Sequence, residues 1–315
     1  MTRPKISIVG AGQVGATTAH LLMLKGLADI TLIDVVEGLA QGKALDLLQA
    51  AAIEGRDVQI LGTAEFTAIA GSHLVVITAG LARKPGMSRE DLLAANANIV
   101  GPLAEQIARL APAAIVLVVT NPLDVMTHLV LKQTGFPRQR VLGMAGVLDR
   151  GRLRAFVAQR LKAAPSDVQA LVLGSHGDLM VPLPETVTVR GTPLAKLLDP
   201  AEVAALMTRT RDAGAEIVAL LKQSSAYYAP ASGVVEMIQA ILEDQHKVLA
   251  ASVLLEGEYG LRDVCIGVPV ELAGSGMVRV IEQPLAPQAL QALRQAAQQV
   301  ADGIAHLNVS HRVPQ

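Results

Sequence analysis

A single cysteine, Cys265, is present among 315 residues, so no intrachain disulfide can form and a reducing, cytoplasmic setting is expected. Its place in an apolar run marks it as a buried thiol and not a nucleophile. No apolar run approaches the roughly 18 residues needed to cross a bilayer. The opening residues, Met1 to Lys5, pass directly into an apolar segment, and no targeting segment is expected. Lys and Arg number 27 against 28 Asp and Glu, a net charge of -1, which gives no electrostatic basis for binding nucleic acid or an anionic membrane. There is no internal repeat or low-complexity linker, and no metal-ligating set is expected.

What is present is a globular composition, 51% hydrophobic and 17% charged. The length suits two domains, each with its own core. Lys5 to Val9 reads as a buried strand, and Gly10-Ala-Gly12-Gln-Val-Gly15 then opens a helix to about Lys25. This is a dinucleotide fingerprint. Gly10 allows a tight turn, Gly12 lets the main chain approach a pyrophosphate, and Gly15 lets helix and strand pack closely. A second strand, Ile30 to Ile33, ends in Asp34, whose carboxylate can accept from both adenosine-ribose hydroxyls and repels a 2′-phosphate. NAD is therefore the expected cofactor.

Residues 38–52 form an expected helix with apolar residues on more than one face, including Leu45 and Leu48; the surplus reads as a subunit interface, or else as a face covered by a neighbouring loop. His73 to Ala79 is an aliphatic strand that runs into a Gly- and Pro-containing stretch carrying Arg83, Lys84 and Arg89. At the carboxyl end of a parallel strand these cations suit a lid over an anion, although basic loops are commonly just solvated. A helix from about Leu92 to Leu110 carries Asn96. The strand Ala114 to Val119 then delivers Thr120-Asn121-Pro122, where Asn121 is either a ligand contact or a turn former. Helix 123–134 and strand 141–144 complete an alternating pattern, that of a doubly wound parallel sheet.

Asp149 and Arg152 are three apart at the start of the next helix and share a face. Such pairs are commonly surface salt bridges; here a second use is open, with Asp149 orienting an imidazole and Arg152 gripping a carboxylate. The imidazole is His176 in Gly174-Ser-His-Gly-Asp178, a turn after the apolar run 168–173. Flanking glycines leave it accessible to a small molecule, so it is the best candidate for a proton carrier. Beyond it, strand 186–189, helices 200–221 and 232–242, three strands of an antiparallel meander (248–255, 263–270, 276–281) and a closing helix 287–307 read as α+β scaffold.

The segments G-A-G-Q-V-G, I-D-V, A-G-L-A-R-K-P-G-M-S-R, V-T-N-P-L-D, L-D-R-G-R and G-S-H-G-D together resemble the malate and lactate dehydrogenase family, and the basic loop is similar to its malate branch. The resemblance spans nearly the whole chain. It implies a Rossmann NAD-binding domain over 1–144 and a catalytic domain over 145–315. His176 and Asp149 would form a proton-relay pair, Arg152 would hold the C1 carboxylate, Arg89 would polarise the reacting carbonyl, Arg83 would set specificity and Asn121 would position substrate and cofactor. Ser225 would contact substrate, and Gln13, Val14, Thr78, Ala79, Gly80, Asn96 and Val119 would join the fingerprint glycines and Asp34 in holding NAD. A homodimer or homotetramer acting on a small 2-hydroxy acid is implied, malate in preference to lactate. Gly274-Ser-Gly276-Met and Gln223-Ser224 depart from the family pattern. A lactate enzyme, another 2-hydroxy acid dehydrogenase, or an NAD-binding sensor without catalysis are the alternatives; the first should lack a charge at position 83, the last should lack the relay pair.

Overall fold

The computed structural model describes residues 3–81, 87–222 and 224–310. Three strands, β1 (Lys5–Val9), β2 (Asp29–Ile33) and β3 (Ile60–Thr63), alternate with helices α1 (Gln13–Lys25) and α2 (Leu39–Ile53). After β4 (Leu74–Ile77) come α3 (Arg89–Leu110), β5 (Ile115–Val118), α4 (Leu123–Thr134), β6 (Val141–Gly143) and α5 (Gly146–Leu161). The six strands pair in parallel in the order β3-β2-β1-β4-β5-β6. The direction of winding reverses between β1 and β4, so a crevice opens at their carboxyl ends, where doubly wound sheets bind ligands. Leu74 to Ile77 are buried throughout, as helices on both faces of a parallel sheet require. Burying each such aliphatic side chain contributes about 1.5–3 kcal/mol.

The rest of the chain comprises β7 (Val168–Gln169), β8 (Val172–Gly174), β9 (Met180–Pro182), β10 (Thr188–Val189), β11 (Thr192–Pro193), α6 (Pro200–Leu221), α7 (Tyr228–Leu242), β12 (Lys247–Glu256), β13 (Arg262–Ala273), β14 (Gly276–Val280) and α8 (Pro287–Ser310). The expected meander β12–β13–β14 is antiparallel. It also joins the first sheet: β12 pairs with β6, and β8 and β9 extend the far side of β13, so the sheet reaches eleven strands. The apolar core likewise continues from Ile6 and Val76 through Met237 and Val253 to Leu293. A second cluster, with Leu153, Val172, Val187 and Met207, lies between α5, α6 and the short strands.

Four strands meet at one row of small residues, with Gly143 opposite Ser252, Ser252 opposite Gly267 and Gly267 opposite Gly174. An added Cβ at Gly143 would lie 2.5 Å from Thr127 Oγ1 of α4, and one at Gly267 would lie 2.6 Å from the Gly174 carbonyl oxygen. The thin row lets α4 settle close to the sheet beside the turn that carries His176.

Several local readings change. The run 168–173 is broken into β7 and β8, which belong to different sheets, because Ala170 and Leu171 lead the chain from one to the other. The strand over 186–189 shrinks to β10, as Pro184 to Thr186 form a 3₁₀ turn. Helix α3 begins at Arg89 and not at 92, set by a reciprocal cap in which Ser88 Oγ accepts from Asp91 N and an Asp91 oxygen accepts from Ser88 N. Helix α7 begins four residues early, at Tyr228. Strands β3 and β9 had no counterpart in the sequence reading; each is three or four residues long, too short to show alternation. On α2, Ala40, Ala44 and Ala51 are buried while Leu45 and Leu48 are exposed.

Candidate active site

The fingerprint turn stands at the crevice between β1 and β4. Gly10 takes a φ of 104°, and an added Cβ there would come within 2.6 Å of Ala79 N, so both the turn and the packing require glycine. A Cβ at Gly15 would lie 1.9 Å from the Gly10 carbonyl oxygen, whereas one at Gly12 would meet no protein atom within 4 Å. Gly12 therefore has an open outer side, and it precedes α1 with no side-chain cap on the first-turn N–H groups. An uncapped helix start behind an open glycine fits a pyrophosphate.

Asp34 accepts from Ala11 N at 2.7 Å through one oxygen and from Val36 N at 3.0 Å through the other. A carboxylate has about four lone-pair sites, so it retains capacity for the ribose hydroxyls expected from the sequence. Lys43 of α2, which drew no notice in the sequence, donates to the carbonyl oxygen of Ala11 at 2.7 Å and reaches that of Gly12 at 3.4 Å. Residue 11 is thus held at both its N–H and its carbonyl. Thr78 Oγ1, directly after β4, donates to the Gly10 carbonyl at 2.8 Å and buttresses the turn.

Asn96 is fully buried, and its amide is spent on main chain: Oδ1 accepts from Leu81 N at 2.7 Å, and Nδ2 donates to Leu81 O at 3.1 Å and Asn121 O at 2.6 Å. It ties the turn after β4 to the turn after β5. Ala79, Gly80 and Val119 lie on those same turns, Thr120 Oγ1 donating to the Ala79 carbonyl at 2.7 Å.

Gly146, the first residue of α5, would carry a Cβ 2.5 Å from the Val172 carbonyl, so the helix lies directly on β8. One turn later Asp149, 1% exposed, reaches His176, the second residue after β8. Its Oδ2 lies 3.0 Å from His176 Nδ1, and its Oδ1 accepts from Arg152 Nη1 at 3.1 Å. Burial works against a charged His176, but the charge and hydrogen bond of Asp149 outweigh it, and the imidazole pKa stands above its ordinary value. Arg152 lowers it and Asp124 raises it to a smaller degree.

A cavity of about 540 Å³ brings Arg89, Asn121, Asp124, Ser175, His176 and Asp178 together, closed on one side by α8. Arg89 is placed there by the Ser88 cap, and its guanidinium meets Asp178 at 2.5 Å. The sequence reading passed over Asp124, Ser175 and Asp178 although each stands inside a motif that it singled out. Ser225 is exposed on the link between α6 and α7 and is not a wall of this cavity; its carbonyl accepts from Ser224 Oγ at 3.2 Å. Arg83 and Lys84 of the basic loop and Gln223 lie outside the described residues. Cys265 is buried, and burial pushes its thiol pKa up, away from nucleophilic use.

Fold and site together define an NAD-dependent oxidoreductase with a dinucleotide crevice on one side and a histidine–carboxylate pair on the other. Residues 4–143 match the family model for the lactate/malate dehydrogenase NAD-binding domain, and residues 146–308 match its α/β C-terminal domain. The chain belongs to the lactate/malate dehydrogenase family. It is 52% identical over 300 residues to the malate dehydrogenase of Thermomicrobium roseum, covering 95% of this chain and 97% of that one. Identity to the malate dehydrogenase of Methanosarcina barkeri is 49% over 305 residues, 97% of this chain and 99% of the relative. Among solved structures, Cryptosporidium parvum malate dehydrogenase superimposes with a TM-score of 0.95 at 40% identity, over 98% of this chain and 100% of that one. The lactate dehydrogenase of the same organism, solved with lactic acid and β-nicotinamide adenine dinucleotide, gives a TM-score of 0.95 at 36% identity over 100% of both chains.

Proposed function

We propose that this enzyme is a malate dehydrogenase, interconverting (S)-malate and oxaloacetate with His176 as the proton carrier. The observation that carries the reading is the division of Asp149 between His176 and Arg152, which presents a base and a carboxylate receptor side by side.

NAD, held at the Gly10–Gly15 turn and by Asp34, would supply the hydride acceptor for C2 of malate. His176 takes the hydroxyl proton; with Nδ1 turned to Asp149, Nε2 is the nitrogen left for the substrate. Asp149 then stabilises the imidazolium and holds the ring in place, without itself taking the proton. Arg152 pairs with the C1 carboxylate by two parallel hydrogen bonds. Arg89 stabilises negative charge gathering on the C2 oxygen, and Asn121 orients substrate and nicotinamide. Arg83 receives the distal carboxylate of malate. With lactate a methyl group would leave that guanidinium desolvated and unpaired, at about 3–5 kcal/mol, a discrimination on the order of a hundred- to ten-thousand-fold.

NADH oxidation by the purified protein with oxaloacetate and with pyruvate, alongside Arg83→Gln, tests the reading. A strong oxaloacetate preference in kcat/KM that falls in the variant supports it. Preference for pyruvate makes the chain a lactate enzyme, and inactivity with both returns it to a sensor.

The exposed Leu45 and Leu48 of α2, with Ile53 86% exposed beside them, support assembly as a homodimer or homotetramer. Sedimentation of Leu45→Glu checks it, with dissociation expected. Cytoplasmic residence is the matching setting for a chain with one buried thiol and, among the described residues, no helix long and apolar enough to cross a membrane.

A further inference from the structure

Asp124 stands on the first turn of α4, three residues beyond Asn121, and only 2% of it is exposed. One oxygen, Oδ2, accepts two hydrogen bonds from the His176 turn: Ser175 Oγ at 2.7 Å and the His176 main-chain N–H at 3.2 Å. The other, Oδ1, is buried without a hydrogen-bond partner, as is Ser252 Oγ, the side chain in the small-residue row beneath it that lies close enough to favour the charged carboxylate. Burial pushes the pKa of Asp124 up, with Ser252, Ser175 and His176 drawing it down. A carboxylate so placed costs stability, and a buried apolar residue of similar size would avoid that cost. Its cost is explained by what it holds. The turn around His176 contains two glycines with positive φ, Gly174 at 86° and Gly177 at 129°, so local backbone preference does not fix it. Asp149 fixes the imidazole from α5, but only at the ring.

We propose that Asp124 is a positioning residue for the reaction, its carboxylate fixing Ser175 and the His176 main chain so that the imidazole is held at two points, ring and backbone. The inference rests on the reading of His176 as the proton carrier. It couples the turn bearing Asn121 to the turn bearing His176, because Asn121 directly precedes Pro122, the N-cap of α4, and Asp124 lies on the first turn of that helix. Asp149 and Arg152 of α5 also act on the imidazole charge, and Arg89 of α3, Asp178 of its own turn, and Asp302 and His306 of α8 line the same cavity.

Asp124→Ala, Asp124→Asn and Ser175→Ala test this in the full chain, with kcat and KM for oxaloacetate, NADH affinity by fluorescence, and an NMR pH titration of the His176 ring. Asp124→Ala is expected to lose at least tenfold in kcat with NADH affinity within about twofold of the parent. Asp124→Asn should restore kcat to within about fivefold of the parent, because an amide oxygen accepts both hydrogen bonds, while His176 titrates at lower pH for want of one negative charge. Parental kcat in Asp124→Ala with an unmoved His176 titration overturns the proposal. If Asp124→Ala does not fold, Ser175→Ala and Asp124→Asn decide: full activity in the first with an unmoved titration in the second overturns it equally. A parent protein inactive toward oxaloacetate would instead defeat the malate reading, while the NMR comparison still tests what Asp124 does to His176.

Discussion

Arg89 and Asp178 form an ion pair across the mouth of the cavity, one from the first turn of α3 and the other from the turn that carries His176. Both side chains are more than half exposed, so the contact contributes little to stability. Its significance lies in competition, since in the proposed mechanism the carbonyl of the substrate uses the same guanidinium. Asp178→Asn is expected to lower KM for oxaloacetate about two- to fivefold, with little change in melting temperature, because it frees Arg89 and removes a charge that repels the dianion. Steady-state kinetics at two ionic strengths checks this, and an unchanged or higher KM counts against it.

His176 has a raised pKa for reasons on both sides: burial opposes its charge, and Asp149 overcomes that. With His176 as the proposed proton carrier, oxidation of malate needs the neutral ring, so its rate should rise with pH through a value above the ordinary 6.5, and reduction of oxaloacetate should fall across the same interval. Asp149→Asn keeps a hydrogen-bonding group but deletes the charge, so the midpoint should move down. The corresponding change in a hydrolase triad lowers kcat about ten-thousand-fold, and a loss of up to that order is expected here. The pH profile of both directions measures it, and a midpoint that stays put in Asp149→Asn would contradict the assignment.

Arg152 is nearly buried, and its Nε is without a hydrogen-bond partner while Nη1 binds Asp149. A buried guanidinium with a donor left unpaired fits the proposed role of carboxylate receptor, although Arg152 is not among the residues that line the cavity. Arg152→Gln should raise KM at least a hundredfold and also lower stability, because Asp149 loses a partner in a buried place, at about 3–5 kcal/mol. Kinetics and urea unfolding together check the two effects.

Lys43 closes the fingerprint turn by holding the Ala11 carbonyl, and it brings a positive charge beside the glycine whose outer side is open. Lys43→Met should weaken NADH binding about five- to thirtyfold and flatten its dependence on salt, with kcat at saturating NADH little changed. Fluorescence titration of NADH decides it; parental affinity would reduce Lys43 to a scaffold role.

The sequence made the dinucleotide half legible because its signals are local. Gly10, Gly12 and Gly15 have fixed offsets within one turn, and Asp34 ends the next strand. His176, Asp149 and Arg152 are linked in the sequence only as one of two open readings, which the resemblance favours, since their meeting depends on α5 lying on β8, a contact that the 27-residue separation of Asp149 and His176 does not itself dictate. Asp124 left no mark because an aspartate at a helix start is ordinary for reasons of capping and dipole, and nothing local reveals that it faces another turn. Lys43 was hidden in the same way by a helix whose apolar pattern drew attention to its opposite side. The joining of β12 to β6 was also out of reach, because strand partners depend on register and not on composition.

Within the row Gly143, Ser252, Gly267 and Gly174, Gly143 is where the sheet leaves no room beneath α4, since a Cβ there would meet Thr127. One methyl group added at Gly143 would have to lift α4, and Asp124 and Asn121 would travel with it. Catalysis in this enzyme is therefore exposed to damage from residues that touch neither substrate nor cofactor, and variation along that row is confined to side chains that take up almost no room.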